Sequence, residues 1–179
     1  MFQYEVDEEI TLKLLSETDA GALFRLTENS RENLSEWLPW LDGTKTEEDS
    51  LDFIKNSIKS YEAKKGLNCG IFYKGELTGM AGFNSIDWVN RVGFIGYWLA
   101  VEFQGKGIMT RAVHGLTDYA FNELELNRID IRAAIGNKKS RAIPERLGFK
   151  EEGLIRQGEW LYDHYVDHII YGMLQSEWR

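Results

Sequence analysis

Gln104-Gly105-Lys106-Gly107-Ile108-Met109-Thr110 decides how the rest of the chain is read. It follows an apolar run, Val92-Gly93-Phe94-Ile95-Gly96-Tyr97-Trp98-Leu99-Ala100, that reads as a buried strand. It precedes Ile108 to Leu124, where Met109, Ala112, Val113, Leu116, Ala120 and Leu124 recur at helical spacing. A glycine turn between strand and helix leaves backbone N–H groups unpaired at the positive end of the helix dipole, which suits a phosphate. Gly105 and Gly107 carry no Cβ, so an anion can approach the main chain, and Lys106 adds charge. Two phosphate motifs fail here. No glycine stands five residues before Gly105-Lys106, as a P-loop requires, and Thr110 occupies the third glycine position of the dinucleotide fingerprint. An ordinary strand-to-helix turn is the plain alternative.

Outward from this turn the periods alternate. Ile10 to Leu14 reads as a strand, and Thr18-Asp19 offers cap chemistry for a helix through Glu28. Pro39 limits any helix at Trp37-Leu38-Pro39-Trp40. Thr46-Glu47-Glu48-Asp49 opens a helix striped by Leu51, Ile54, Ile58 and Tyr61 and closed by Lys64-Lys65-Gly66. Asn68–Tyr73 and Leu77–Ile86 form a hairpin, in which Gly79 and Gly82 signal bends or close backbone approach. Arg128–Ile135 is a strand, Asn137–Arg146 a short helix containing Pro144, and Phe149–Trp160 and Tyr165–Leu174 the last two strands. The fold class is α/β (α+β): one domain over 10–175, with a mixed sheet of about seven strands and flanking helices. The connection through the long helix is a right-handed crossover between parallel neighbours.

Composition excludes more than it assigns. The 179 residues carry a formal net charge of −8, which disfavours nucleic acid and anionic membrane as partners. No run approaches a membrane span, and Met1 to Ile10 lacks the pattern of a signal peptide, so the expected location is cytoplasmic. Cys69 is the only cysteine, which rules out an intrachain disulfide and a cysteine-based metal cluster. His114, His164 and His168 show no metal spacing, so no metal is expected.

Gln104 and Gly107 fit Gln/Arg-x-x-Gly-x-Gly/Ala, the pyrophosphate signature of the GCN5-related N-acetyltransferases (GNAT), with Met109 departing at the last position. The order of elements from Ile10 to Leu174 resembles that family throughout. The chain looks most like the branch containing the ribosomal-protein serine and alanine N-acetyltransferases. That likeness rests on Trp37-Leu38-Pro39-Trp40, Ile95-Gly96-Tyr97-Trp98-Leu99, Asn137-Lys138-Lys139-Ser140, Arg146-Leu147-Gly148-Phe149 and Val166-Asp167-His168.

The resemblance implies an acetyl-CoA-dependent enzyme working by direct attack in a ternary complex. A bulge would splay the strand before the glycine turn (the fourth) from the fifth, and the cofactor's pantetheine arm would lie in the opening. Leu99, Ala100 and Val101 would pair with that arm, and a backbone N–H near Leu99 would polarise the thioester oxygen. Amides from Gly105 through Lys106, Gly107, Ile108 and Met109 to Thr110 would hold the pyrophosphate, with Gln104 at the head of the motif. Asn137 would bond the cofactor arm, and Ser140 would protonate the departing thiolate unless it is only an early-helix serine.

Glu159 is the candidate general base, set against a solvated strand glutamate. A glutamate of pKa about 4.3 can serve an α-amine of pKa about 8 more readily than a lysine of about 10.4. That favours a protein N-terminus as acceptor, and the resemblance implies in particular a ribosomal protein starting with Ser or Ala. A small amine (polyamine or aminoglycoside) and a non-catalytic acyl-CoA sensor are the alternatives. Trp37, Trp40 and Trp160 could line the acceptor pocket or belong to the core. Arg141 and Lys138-Lys139 could meet phosphates or face water, the histidines read as solvated or hydrogen-bonded, and Cys69 as a small buried residue. Extended terminal strands permit a homodimer.

Overall fold

The structure, a computed structural model, describes residues Met1 to Arg179. Its elements run β1 (Gln3–Glu5), β2 (Ile10–Leu14), α1 (Ala20–Asn29), α2 (Arg31–Leu34), α3 (Glu47–Glu62), β3 (Leu67–Tyr73) and β4 (Glu76–Asp87). They continue with β5 (Val92–Leu99), α4 (Ile108–Asn122), β6 (Arg128–Ala134), α5 (Lys138–Arg146), β7 (Lys150–Leu161) and β8 (His164–Leu174). The strands form one sheet of eight in the order β1-β2-β3-β4-β5-β6-β8-β7. The strand beyond the expected seven is β1, whose three residues are too few to display a period. Only β5 and β6 are parallel, joined through α4.

Local chemistry accounts for most boundaries. Thr46 Oγ1 accepts from the Asp49 N–H at 3.3 Å while Asp49 Oδ2 accepts from the Thr46 N–H at 3.0 Å, a reciprocal cap that starts α3. Asp19 is the N-cap residue of α1, as expected, but its side chain caps the 3-10 turn before the helix instead, accepting from the Ser16 N–H at 2.8 Å. Lys74 and Gly75 both take positive φ, 51° and 83°, the geometry of a tight two-residue hairpin turn between β3 and β4. A Cβ on Gly82 would lie 1.9 Å from the Leu67 carbonyl oxygen, and one on Gly79 2.3 Å from that of Trp98. Close backbone approach explains both glycines.

Helices α1 and α3 pack together against β3 and β4, while α4 packs on β5 and β6. Strand β6 serves both environments. Ile129 and Ile131 belong to the hydrophobic core, and Asp130 and Arg132, alternating with them, face a cavity on the side of α1 and α3.

Candidate functional site

The site grows from a seam in the sheet. β5 and β6 pair from Val92↔Arg128 to Ile95↔Ile131 and no further, so Gly96–Leu99 runs on without a ladder to β6. The expected splay is present, but the extra residue lies in β4 rather than β5. Phe83 pairs with Ile95 and Ser85 with Phe94, which leaves Asn84 unpaired. An extra residue on one strand bends the pair, and this bend falls at Ile95, the last residue of β5 matched to β6. The Asn84 side chain lies over Gly96, where an added Cβ would meet its amide nitrogen at 2.5 Å.

Beyond the seam comes the glycine turn. Gly105 and Gly107 have φ of 79° and 76°, and Gly107 is the N-cap of α4. None of the six amides from Gly105 to Thr110 donates a hydrogen bond within the protein. An added Cβ at either glycine meets nothing within 4 Å, so the concavity in front of the amides is open. Free donors at a helix start, with room beside them, fit a pyrophosphate. Lys106 Nζ lies 5.7 Å from the Phe103 ring centroid, at the same turn.

The approach to the turn is more committed than the sequence suggests. Gln104 Nε2 donates to the Leu99 carbonyl at 2.9 Å and to Asn33 Oδ1 at 3.1 Å. The Ala100 N–H donates to the Thr78 carbonyl at 2.9 Å, and the Val101 N–H to Ser30 Oγ at 3.0 Å. These groups hold the end of β5 in place, leaving a partner fewer free main-chain groups along Leu99–Val101.

Across the seam stands α5. Asn137 Oδ1 accepts from the Ser140 N–H at 3.3 Å, so this asparagine is the helix cap and Ser140 sits in the first turn. Pro144 lacks the N–H that would bond the carbonyl four residues earlier, which is that of Ser140. Tyr97 from the splayed half of β5 fills the gap, donating its hydroxyl to the Ser140 carbonyl at 2.8 Å. Burial pushes the Tyr97 pKa up, against a smaller lowering by this bond, which keeps the hydroxyl a donor. A proline and a tyrosine distant in sequence thus lock Ser140 beside the seam.

A cavity of about 700 Å³ opens on this wall and contains Asn137, Ser140, Glu159, Trp37 and Trp40. Glu159 meets His168, a histidine expected to be solvated or hydrogen-bonded: His168 Nε2 lies 3.2 Å from Glu159 Oε1. Ile155 pairs with His168 and Glu159 with Val166, so β7 carries two more residues than β8 between these rungs. An even excess leaves side-chain parity unchanged, and both residues stay on the cavity face. Gln157, φ 51°, forms the bulge and donates its N–H to Asp167 Oδ1 at 2.7 Å.

The Trp37–Trp40 loop roofs the cavity. Arg31 holds it by donating to the carbonyls of Leu41 and Thr44, and the Tyr162 hydroxyl donates to the Leu38 carbonyl. Trp40 stands 6.0 Å from Trp98, ring centroid to ring centroid. Trp160 is outside the lining; half exposed, it packs edge-on against Tyr165 at 4.8 Å. Met80, Asn84, Phe94, Asp130 and Arg132 also face the space, and no local pattern marks them in the sequence.

The remaining candidates have structural partners. Arg141 donates to the Tyr171 hydroxyl at 2.8 Å and the Ile135 carbonyl at 2.9 Å, so it is not free for phosphate. His114 pairs with Asp118 and His164 with Asp163. Cys69 is fully buried in β3, and burial drives its thiol pKa far up, away from the reactive thiolate. No group of three or more His, Cys, Asp or Glu is placed to hold a metal ion, and no helix is long and apolar enough to cross a membrane.

Residues 9–150 match the family model described as an acetyltransferase (GNAT) domain. The Bacillus subtilis protein named "Putative ribosomal N-acetyltransferase YdaF" is 42% identical over 184 residues, covering 100% of this chain and 98% of its own. The ribosomal-protein-serine acetyltransferase of Escherichia coli is 29% identical over 170 residues, 95% of each protein. A solved structure of RimL, a ribosomal L7/L12 alpha-N-protein acetyltransferase in complex with coenzyme A, superposes with a TM-score of 0.93. It is 26% identical and covers 97% of this chain and 98% of its own.

Proposed function

We propose that this chain, which belongs to the GNAT acetyltransferase family, acetylates the α-amino group of a protein N-terminus, with a ribosomal protein beginning in Ser or Ala as its target. It is an N-acetyltransferase that uses acetyl-CoA. The acceptor and the residue roles are the proposed part. The observation that carries them is the convergence on one cavity of the Glu159–His168 pair and Ser140, at the mouth of the β5–β6 seam.

Bound acetyl-CoA supplies an activated acetyl thioester. The amides of Gly105 to Thr110 hold its pyrophosphate, while Leu99, Ala100, Val101, Asn137 and the seam guide its arm toward Ser140. A backbone N–H at Leu99 polarises the carbonyl. Glu159, oriented by His168, takes the proton from the incoming ammonium directly or through one water, which an α-amine of pKa about 8 permits near neutrality. The C–N bond would form as the C–S bond breaks; Ser140 Oγ would give its proton to the departing sulfur and regain one from the nitrogen, which loses its second proton on becoming the amide, while Glu159 keeps the first until it passes to solvent. Trp37 and Trp40 exclude water from the acceptor.

Thiol release from acetyl-CoA with a panel of acceptors tests this. Turnover of Ser- and Ala-starting peptides, but not of their N-terminally blocked forms, is expected. Turnover confined to polyamines or an aminoglycoside would overturn it, and binding of acetyl-CoA without any turnover would make the chain a sensor.

A further inference from the structure

Asp130 sits on the cavity face of β6 and is 7% exposed. Its Oδ2 accepts from Arg128 Nη2 at 3.2 Å, and Arg128 is further tied to both Glu152 oxygens at 2.9 Å. Its Oδ1 is the one buried side-chain nitrogen or oxygen in the chain with no hydrogen-bond partner. Such orphans are rare, because a buried acceptor left unpaired forfeits the hydrogen bonds it made to water. Arg132, two residues on, lies with Nε 3.6 Å from that oxygen, too far for a hydrogen bond. Its own side chain is 45% exposed, lines the cavity and makes no hydrogen bond. A carboxylate oxygen and a guanidinium, ion-paired to each other at 3.6 Å but sharing no hydrogen bond, therefore stand side by side in the cavity with hydrogen-bonding capacity to spare, where catalysis at Glu159 needs neither.

We infer that Arg132 and Asp130 read the backbone of the acceptor peptide, taking the carbonyl of its first residue and the N–H of its third. This rests on the N-terminal reading above. The order follows from register: β6 pairs Ala134 with His168, Arg132 with Ile170 and Asp130 with Gly172. A chain leading away from an amine at the Glu159–His168 pair thus meets the guanidinium first and the carboxylate second. Arg132 lies two residues along β6 from the His168 rung, about 7 Å at strand spacing, and Asp130 about 13 Å before side-chain reach is counted. In an extended peptide the carbonyl of residue one and the N–H of residue three point to the same side. A donor then an acceptor on one wall is the complement of that pair. The Arg128–Glu152 pair lies over Gly172, opposite Asp130, in the space a side chain there would take: an added Cβ would meet Glu152 Oε2 at 2.0 Å and Arg128 Nη1 at 2.6 Å.

The test uses two dipeptide probes of equal size, the N-methylamide and the methyl ester of Ser-Ala, which differ only in whether an N–H stands at the third position. A hydrogen bond to a charged group leads us to expect about tenfold lower kcat/KM for the ester on the wild-type enzyme, mostly through KM. In Asp130→Ala the two probes should become equal. Equal kcat/KM on the wild-type enzyme overturns the inference, as does an ester penalty that persists in Asp130→Ala. The wild-type comparison decides even where the variant does not fold. Failure of both dipeptides and of longer peptides, with small amines turned over, overturns the N-terminal reading itself and this inference with it.

Discussion

The glycine turn and the cavity proposed for the acceptor are built in opposite ways. From Gly105 to Thr110 the working groups are main-chain amides of consecutive residues, aligned by two positive φ angles and the start of α4. The cavity draws side chains from α1, α3, the Trp37–Trp40 loop, β4, β5, β6, α5, β7 and β8. A cofactor that is the same in every turnover can be held by backbone. An acceptor that must be told from other amines needs side chains of different kinds brought from many places. The two regions should therefore fail differently when altered.

Glu159→Gln strikes the cavity alone and should have the largest effect. Loss of a general base typically costs about 10²–10⁴-fold, here expected in kcat, with acetyl-CoA affinity by titration calorimetry unchanged. An equal fall in cofactor affinity would show the two regions to be coupled. Gly107→Val strikes the turn: a β-branched residue at φ 76° is strained by roughly 1–3 kcal/mol, which would disturb the alignment of the free amides. The KM for acetyl-CoA should rise about tenfold or more while the KM for the peptide holds.

Tyr97→Phe tests the strut between the regions. The Ser140 carbonyl, which Pro144 cannot serve, would lose its partner at a cost of about 1–3 kcal/mol. The melting temperature should fall by several degrees, and kcat should fall more than either KM. An unchanged enzyme would show that Ser140 needs no such support.

The smallest effect belongs to Asp7, which belongs to neither region although its partner Arg111 follows Thr110 in α4. Burial would raise its pKa, but the amides of Glu9 and Ile10 and the Arg111 guanidinium of α4 outweigh this and hold it below the ordinary carboxylate value. A lowered folded pKa stabilises the fold above the unfolded value of about 3.9. That contribution is lost as pH falls through the folded value. Asp7→Asn should lower the melting temperature slightly at pH 7, since the pair is one-third exposed and screened, and the difference should vanish in acid. A constant difference at all pH values would assign it to packing instead.

The sequence by itself determined the crossover at α4, the hairpin at Lys74-Gly75 and the glycine turn that opens α4. Each depends on residues within a few positions of one another, where glycine conformation, capping and hydrophobic period act directly. Family resemblance rather than spacing singled out Glu159 and Ser140, which the structure brings to one cavity. Only the tertiary structure decided that the extra residue is Asn84, that Trp160 lies outside the cavity, and that Arg141 is committed to Tyr171 and Ile135. It alone set His168 against Glu159 and left Asp130 Oδ1 without a partner. These facts depend on strand register and on parity across a bulge, which join residues far apart in the chain. Nothing in the local chemistry of such residues records which neighbour the sheet will bring them.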